Sequence, residues 1–276
     1  MIYDEKSYIV YFDDVVNTII YLEIRNNTVN SHILLPKVVL KHFVGASKKF
    51  YKWSLDVEYI NQSTPKSFNT QEDHYSKFVE NLLEKNVETN LGKVIIEIEK
   101  QVLEIQRGIN YTKIRNVLLQ YLYSLLARSP DMLKEVQKEL FFGFLFTEQS
   151  LHDVAVIESM ALMNESKLFE EYEVAIIVNE TEIPFVLPNC GVSDTAIDNE
   201  GKMFFMPITN KICILFIENN YAYKYFYNGA MIIQKASLNF VKQINNLAFY
   251  KQKELGWGSL ICSNKQELQR LKGLLK

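Results

Sequence analysis

The sequence is short of the residues that interrupt or cross-link a chain. It contains 6 Pro, 10 Gly and 3 Cys among 276 residues. So few chain breakers argue against domains joined by long flexible linkers. The cysteine count is odd and no CxxC pair occurs, which argues against a disulfide framework. We therefore expect Cys190, Cys213 and Cys262 to be free thiols in a reducing cytoplasm.

Long basic and long apolar runs are absent as well. No stretch of five Lys or Arg occurs, and the formal net charge is −3. A protein that binds duplex phosphates usually carries a basic face, so nucleic acid is a disfavoured partner, although a local basic groove stays open. No apolar run reaches the roughly 20 residues of a membrane helix, and the opening segment lacks the apolar length of a signal peptide. A cytoplasmic protein with no membrane partner is expected.

Aromatic residues are plentiful instead. The chain has 17 Phe and 16 Tyr, and 48% of its residues are hydrophobic. Large rings with few chain breakers predict a well-filled core, and a chain of this length buries roughly 70–75% of its unfolded surface. One aromatic series, YAYKYFY at residues 221–227, is either a strand with one buried face or a surface that stacks bases.

The segments that resemble strands lie towards the two ends of the chain. They are rich in β-branched and aromatic residues, which favour strands. They are residues 8–12, 18–24 and 49–60 in the first part, and residues 172–178, 183–188, 202–208, 211–217 and 256–263 in the last part. Pro36 favours a short helix through residue 43. A long late helix is predicted over residues 237–255, and a terminal helix begins after Asn264.

The middle of the chain is predicted to be a helical layer. Apolar residues recur at helical period through residues 76–105 and 110–128, and two more helices are expected at 131–145 and 148–163. A buried seam is expected on the first of these helices, formed by Val87, Leu91, Ile95, Ile98 and Val102.

These elements predict an α+β fold. A β-rich part occupies residues 1–70, the helical layer residues 71–170, and a mixed part residues 171–276. The last part is expected to hold an antiparallel sheet and the long late helix. We expect the three parts to form one compact unit.

Short landmarks follow one another in a fixed order, beginning with HILLPKVVLKHF at residues 32–43 and ending with VKQINN at residues 241–246. This order resembles the bacterial family of proteins of unknown function numbered DUF4238, over roughly residues 30–260. The matching residues are His32, Pro36, Leu40, Phe43, Tyr75, Leu83, Glu88, Thr89, Arg128, Pro130, Phe185, Pro188, Asn189, Pro207, Thr209 and either Asn245 or Asn246. Asn189 stands in place of an acid usual in such relatives, and Asn210 in place of a proline. The resemblance implies no activity, because the family has none that can be carried over.

No catalytic or nucleotide-binding motif is present, since GxSxG, HExxH, GxxxxGK[ST] and GxGxxG are all missing. Asp73-His74 and His152-Asp153 are adjacent acid–imidazole pairs, and both kinds of group are good metal ligands. A metal site would have to assemble from distant segments. Ordinary polar histidines are the simpler interpretation, and neither a metal nor a cofactor is expected.

Other polar residues have both a structural and a functional interpretation. Cys190 is either a small turn residue or a nucleophile. Arg115 and Arg128 point to different faces of one helix, so that helix alone does not make a phosphate clamp. Arg128 binds either helix-end carbonyls, a carboxylate such as Glu88, or an anionic ligand. Asn245 either bridges backbone groups of the strand layer or contacts a ligand.

Two functional hypotheses follow. The favoured one is a binding or regulatory module whose partner is another protein, in a bacterial defence or stress system by resemblance to the gene contexts of such families. The alternative is a metal-dependent hydrolase, a nuclease, whose acid–histidine site is built from distant segments. Its candidate groups are His32, Asp73, His74, His152 and Asp153.

The candidate binding residues are His32, Glu88, Arg128 and Asn245, which come from four distant stretches. We expect at least three of them to surround one concavity between the helical layer and the C-terminal sheet, since binding residues gather where segments meet. The alternative is that each is a local cap or a packing polar residue.

Overall fold

A computed structural model shows thirteen strands and eight α-helices among the residues it describes. The described residues are 7–13, 18–24, 30–32, 35–68, 70–72, 74–104, 111–129, 134, 138, 148–165, 171–197, 201–222, 233–256 and 258–275. The strands are β1 Ser7–Asp13, β2 Thr18–Ile24, β3 Asn30–His32, β4 Phe50–Ser54, β5 Asn61–Ser63, β6 Thr70–Glu72, β7 Tyr172–Val178, β8 Leu187–Pro188, β9 Ser193–Ile197, β10 Gly201–Pro207, β11 Ile212–Glu218, β12 Ile233–Lys235 and β13 Ser259–Cys262. The helices are α1 Lys37–Leu40, α2 Lys77–Leu83, α3 Thr89–Glu104, α4 Tyr111–Ala127, α5 Glu148–Glu165, α6 Asn219–Ala222, α7 Leu238–Leu255 and α8 Lys265–Lys272. The predicted α+β class is confirmed.

The main sheet has five strands in the order β12-β7-β11-β10-β9. Neighbouring strands are antiparallel except at one edge, where β12 runs parallel to β7. The central strands β7 and β11 read YEVAIIV and ICILFIE and are buried almost from end to end. Such continuous apolar runs are typical of strands that are covered on both faces.

Helices cover both faces of this sheet. In β7, Val174 and Ile176 belong to the core that α1 to α5 share, whereas Ala175 and Ile177 belong to the core that includes α7. Successive strand residues point to opposite faces, so the sheet lies between the helical layer and α7. Among the described helices, none is long and apolar enough to cross a bilayer.

A smaller sheet combines early and late parts of the chain. Its order is β5-β4-β13-β8, with antiparallel neighbours throughout. Trp53 of β4 stacks on Phe249 of α7, with ring centroids 6.0 Å apart. Leu268 and Leu271 of α8 complete the same core. The division of the chain at residues 70 and 170 stays a prediction, although strands from both ends meet in this sheet.

One predicted strand is mostly replaced by irregular backbone. Of residues 183–188, only Leu187–Pro188 are in a strand. Pro184 has no N–H for a ladder, and the side chain of Asn245 binds the backbone of this segment instead. The segment predicted at residues 49–60 contains β4 followed by turns.

The aromatic series also differs from the prediction of a strand. Residues 221 and 222 end the short helix α6, so the series does not begin as a strand. Residues 223–227 lie outside the described part of the chain, as do all but two residues of the helix predicted at 131–145. Neither of these two predictions is therefore fully tested.

The long predicted helix over residues 76–105 is interrupted once. A single π-helical turn, Glu84–Glu88, lies between α2 and α3. The predicted seam is confirmed at Val87, Leu91, Ile95 and Ile98, all of which are buried. The side chain of Val102 lies outside the described residues. Single π-turns within helices are frequent at functional sites.

The seam gives a stability prediction. Leu91 is fully buried in the main core, so Leu91→Ala should lower the free energy of unfolding by about 2–5 kcal/mol through lost burial and a residual cavity. Ile96 of the same helix is 49% exposed, and Ile96→Ala is the matched control with an expected change within about 0.5 kcal/mol. Urea unfolding measures both. Equal values for the two variants would contradict the assignment of the buried face.

Candidate functional site

Arg128 lies buried at the carboxyl end of α4, with 4% of its surface exposed. Its Nε donates to the carbonyl oxygen of Ser124 at 2.9 Å, and its Nη2 donates to Ser124 Oγ at 3.2 Å. The Ser124 hydroxyl donates in turn to the carbonyl oxygen of Tyr121 at 2.8 Å. The predicted binding of Arg128 to a helix-end carbonyl is confirmed, and these bonds hold its guanidinium in one orientation.

Two buried donors in this region have no acceptor among the residues that the structure describes. The Nη1 atom of Arg128 and the hydroxyl of Tyr121 are both buried and make no hydrogen bond within the described part of the chain. Burial raises the pKa of the Tyr121 phenol, against the opposing effect of the Arg128 charge, so the phenol stays protonated and the two groups interact. A buried polar group without a partner costs about 1–3 kcal/mol, and few are tolerated in native structures. This pair therefore needs an explanation other than stability.

The turn before α2 brings a second set of polar groups to this place. The Ser76 side chain caps α2 by accepting from the backbone N–H of Val79 at 3.3 Å. The backbone N–H of Ser76 donates to Asp153 of α5, at 3.0 Å to Oδ1 and 3.3 Å to Oδ2. Asp153 thereby fixes the His74–Ser76 segment against α5.

His74 and His152 are in direct contact. Their ring centroids lie 4.0 Å apart, with planes inclined by 42°, and the ring of Tyr75 meets His74 edge-on at 4.6 Å. Burial, then the nearby His152, then the charge of Arg128 lower the pKa of His74 to about 4. The His74 imidazole is therefore neutral near pH 7 and lies within electrostatic reach of Arg128.

The two acid–imidazole pairs of the sequence are thus partly brought together. His74, His152 and Asp153 share one region, whereas Asp73 and the side chain of His32 lie outside the described residues. Within the part of the chain that the structure describes, no three His, Cys, Asp or Glu side chains are arranged to hold a metal ion.

Glu88 reaches the same region from the π-turn. The π-turn packs against α4, and Glu88 is partly buried there. Burial raises the pKa of Glu88; Arg128 opposes this rise, and the carboxylates of Glu80 and Glu84 add to it. Of the four residues predicted for the site, Glu88 and Arg128 therefore lie within electrostatic range of each other.

Asn245 belongs to a separate network within α7 and its neighbours. Its Oδ1 accepts from the backbone N–H of Val186 at 2.9 Å, and its Nδ2 donates to the Pro184 carbonyl at 3.0 Å and to Glu267 Oε1 at 2.7 Å. The predicted bridging of backbone groups by Asn245 is confirmed. Glu267 also pairs with Arg270, at 2.8 Å to Nη2.

The four candidate binding residues are thus placed differently. Glu88 lies within electrostatic range of Arg128, whereas Asn245 lies in the helix that covers the other face of the main sheet. The backbone of His32 is in β3, and its side chain lies outside the described residues. That at least three of the four surround one concavity stays a prediction.

The remaining candidates have structural roles. Arg115 donates to the carbonyl oxygen of Tyr172 from both Nε and Nη2, at 3.0 and 2.6 Å. All three cysteines are free thiols, as predicted. Burial raises the pKa of Cys190 to about 11 and that of Cys262 to about 12, and it also raises the pKa of Cys213. A protonated thiol is a poor nucleophile, so Cys190 is a turn residue.

Sequence reasoning missed Tyr121 and Ser124 as part of this site. Tyr121 lies on the apolar stripe of α4, where the sequence predicts only packing. The Tyr121 hydroxyl was the one feature of the sequence that could have indicated a polar role, because a buried tyrosine usually requires a hydrogen-bond partner. We refer below to Arg128, Tyr121, Glu88, His74 and Tyr75 as the Arg128 cluster.

Comparison with known proteins identifies a family. The model of a family described as "Protein of unknown function (DUF4238)" matches residues 32–252. Neither a curated protein nor a solved structure matches the chain. The matched range contains every member of the Arg128 cluster.

Asp153, which lies beside the cluster, and His74, which belongs to it, make opposite contributions to the pH dependence of stability. Burial, partly offset by hydrogen bonds from Ser76, raises the pKa of Asp153 from 3.8 to about 6. The stability that Asp153 contributes is therefore fully present below pH 3.8 and is lost as the pH rises through about 6. His74 has a lowered pKa, so its contribution is lost as the pH falls from 6.5 through about 4.

Asp153→Asn should separate these contributions. Asparagine can still accept from the Ser76 N–H but does not titrate. The free energy of unfolding of the wild type, relative to that of the variant, should fall by about 2–3 kcal/mol as the pH rises from about 4 to about 6. Chemical denaturation at several pH values measures this difference. A constant difference over that range would show that Asp153 titrates alike in the folded and unfolded chains.

Proposed function

The chain belongs to the DUF4238 family of proteins of unknown function, and we propose that this member is a binding module that receives a compact anionic group, a carboxylate or a phosphate, at Arg128. One observation carries the proposal. Arg128 Nη1 and the Tyr121 hydroxyl are buried donors within electrostatic range of one another, and the described part of the chain offers neither of them an acceptor. An oxyanion supplies the acceptor that both donors need.

The orientation of Arg128 supports binding. Two hydrogen bonds to Ser124 leave Nη1 as the free corner of the guanidinium. Hydrogen bonds between a guanidinium and an oxyanion are roughly twice as strong as neutral ones, and a side chain that is already ordered loses little entropy on binding. The protein keeps two unpaired donors at a cost in stability, which is common where a site is kept ready for a ligand.

The cluster also extends towards the surface. Arg128, Tyr121 and Tyr75 are buried, whereas Glu88 and His152 are partly exposed. We propose that a ligand approaches the buried donors from the side of Glu88 and His152, which are the partly exposed residues of this region. The anionic group belongs to a partner molecule, for which we propose another protein. Its setting in a bacterial defence or stress system, in the cytoplasm, stays a prediction from the family resemblance.

A metal-dependent hydrolase is the second candidate, and one contact favours it. His74 and His152 come from distant segments, yet their ring centroids lie 4.0 Å apart, so two of the candidate groups of an assembled acid–histidine site are in contact. Neutral imidazole is the form that binds metal ions, and the lowered pKa keeps His74 in that form. The pair would still need ligands beyond the described residues, since those residues offer no complete set.

The anion proposal predicts a specific loss of binding. Acetate and sulfate, as probes for a carboxylate and a tetrahedral oxyanion, should bind the wild type in calorimetric titrations. Arg128→Lys should weaken binding at least about tenfold, because lysine does not reproduce the oriented guanidinium. Tyr121→Phe should weaken it by about tenfold, the equivalent of one hydrogen bond of about 1.4 kcal/mol.

Two variants on the same helix serve as controls. The controls are Arg115→Lys and Tyr123→Phe, which repeat the two chemical changes near Tyr172 instead of at Arg128. Both controls should leave anion binding unchanged. Equal weakening by the controls, or no anion binding by the wild type, would contradict the proposal. Nuclease activity that requires Mn²⁺ and that His74→Gln abolishes would favour the second candidate instead.

A further inference from the structure

Exposed lysines gather at one end of the small sheet, and none of them belongs to the Arg128 cluster. They are Lys48, Lys49, Lys66 and Lys265, which we refer to as the lysine patch. We propose that this end of the sheet binds the phosphate backbone of a nucleic-acid duplex without regard to its sequence. The proposal goes beyond the anion site at Arg128 and does not depend on it.

The strand order brings three loops together at this end of the sheet. β4 lies between β5 and β13, and both neighbours run antiparallel to it. The first residues of β4 therefore pair with the last residues of β5 and of β13. Lys48 and Lys49 directly precede β4, Lys66 is the third residue after β5, and Lys265 is the third residue after β13. The four ammonium groups thus come from neighbouring strand ends.

The loop before β4 holds Lys48 in an unfavourable backbone conformation. The Lys48 N–H donates to the Gly45 carbonyl at 3.0 Å, and the Gly45 N–H donates to the Lys49 carbonyl at 2.8 Å. The φ angle of Lys48 in this tight turn is 57°, and no other described residue except glycine has a positive φ. Glycine and asparagine adopt such angles more readily, so lysine is a poor choice here for stability alone. Backbone outliers of this kind are concentrated at functional sites.

Negative charge is scarce around the lysine patch. Residues 24–55 contain six cations and no Asp or Glu. The next acids, Asp56 and Glu58, follow the far end of β4, roughly 16 Å away by the length of the strand. Glu267, the first acid after β13, is buried and pairs with Arg270 at 2.8 Å, and Glu182 leads into β8 at the sheet edge away from β5. The patch is therefore a local excess of positive charge on a chain whose formal net charge is −3.

The composition of the three loops favours phosphate groups as the partner. Residues 45–49, 64–67 and 263–265 contain only Gly, Ala, Ser, Thr, Pro and Asn besides lysine. None of the large apolar side chains that are exposed in the described part of the chain lies in these loops. Protein interfaces and membrane surfaces require such apolar anchors, and the stacking of unpaired bases requires exposed aromatic rings. Lysine binds phosphates as a point charge, and a duplex offers a dense row of them.

Fluorescence anisotropy of a labelled DNA duplex of about 20 base pairs tests the proposal on the whole chain. Binding is measured at sodium chloride concentrations from about 50 to about 200 mM. With four phosphate contacts, each doubling of the salt concentration should weaken binding by about tenfold, because bound counterions are released. Duplexes of different sequence should bind alike, and a single strand of the same length should bind more weakly.

Substitutions separate the lysine patch from the total charge of the protein. Lys49→Gln, Lys66→Gln and Lys265→Gln should each weaken binding several-fold at low salt and lower the salt dependence by about one ion. Lys202→Gln removes the same charge at an exposed position of β10, and this control should bind like the wild type. Lys48→Asn should also weaken binding, yet its midpoint of urea unfolding should equal or exceed that of the wild type, since asparagine tolerates the positive φ.

The proposal is overturned if the wild type does not bind the duplex at about 50 mM salt, or if Lys202→Gln weakens binding as much as the patch variants do. Displacement of the labelled duplex by polyglutamate as readily as by unlabelled duplex would also overturn it, and would identify an acidic protein as the partner. Arg128→Lys should leave duplex binding unchanged, so the lysine patch and the anion site at Arg128 can fail separately.

Discussion

The burial of a guanidinium at the end of α4 is the constraint that organises the helical layer. A buried charge is tolerated only when hydrogen bonds and opposite charge surround it. Ser124 supplies the hydrogen bonds from the same helix, and Glu88 supplies negative charge from the π-turn. Neutral His74 and the protonated phenols complete the surroundings without adding positive charge. Three segments, α4, the π-turn and the turn before α2, therefore lie around Arg128, where two donors have no partner among the described residues.

The main sheet separates this cluster from a second polar network. On one face, Val174 and Ile176 of β7 support the helices that carry the cluster. On the other face, α7 carries Asn245, whose amide is saturated by Val186, Pro184 and Glu267. Both networks are buried. In the first, Arg128 Nη1 and the Tyr121 hydroxyl have no partner among the described residues, and the hydroxyl of Ser193 in β9 has none either. The hydrogen bonds of Asn245 serve the structure, and the two unpaired donors are the observation behind the ligand-binding role proposed for Arg128.

The parts of the fold that depend on local pattern are predictable from sequence. Leu91, Ile95 and Ile98 are buried as their helical spacing indicates, because one face of that helix supplies the core. The runs that form β7 and β11 are equally clear, since a strand covered on both faces requires apolar residues at every position. Strand propensity gives a wrong prediction for most of residues 183–188. There the side chain of Asn245 from α7 makes hydrogen bonds to the backbone in place of a neighbouring strand.

The candidate site was only partly predictable, for a physical reason. Arg128, Glu88 and His74 stand out because charged and imidazole side chains are costly to bury. Tyr121 does not, because its ring fits an apolar stripe and its unpaired hydroxyl is a property of the tertiary structure. The π-turn before Thr89 has no local signal either, since tertiary packing decides whether a helix accommodates an extra residue.

The stability of Tyr121→Phe, measured without any ligand, tests most directly whether the cluster is built for binding rather than for folding. The variant removes one buried hydroxyl and keeps the ring. If that hydroxyl is an unused donor, the free energy of unfolding should be unchanged or higher than that of the wild type. A loss of about 1–3 kcal/mol would show that the hydroxyl has a structural partner in the folded protein, and would contradict the account.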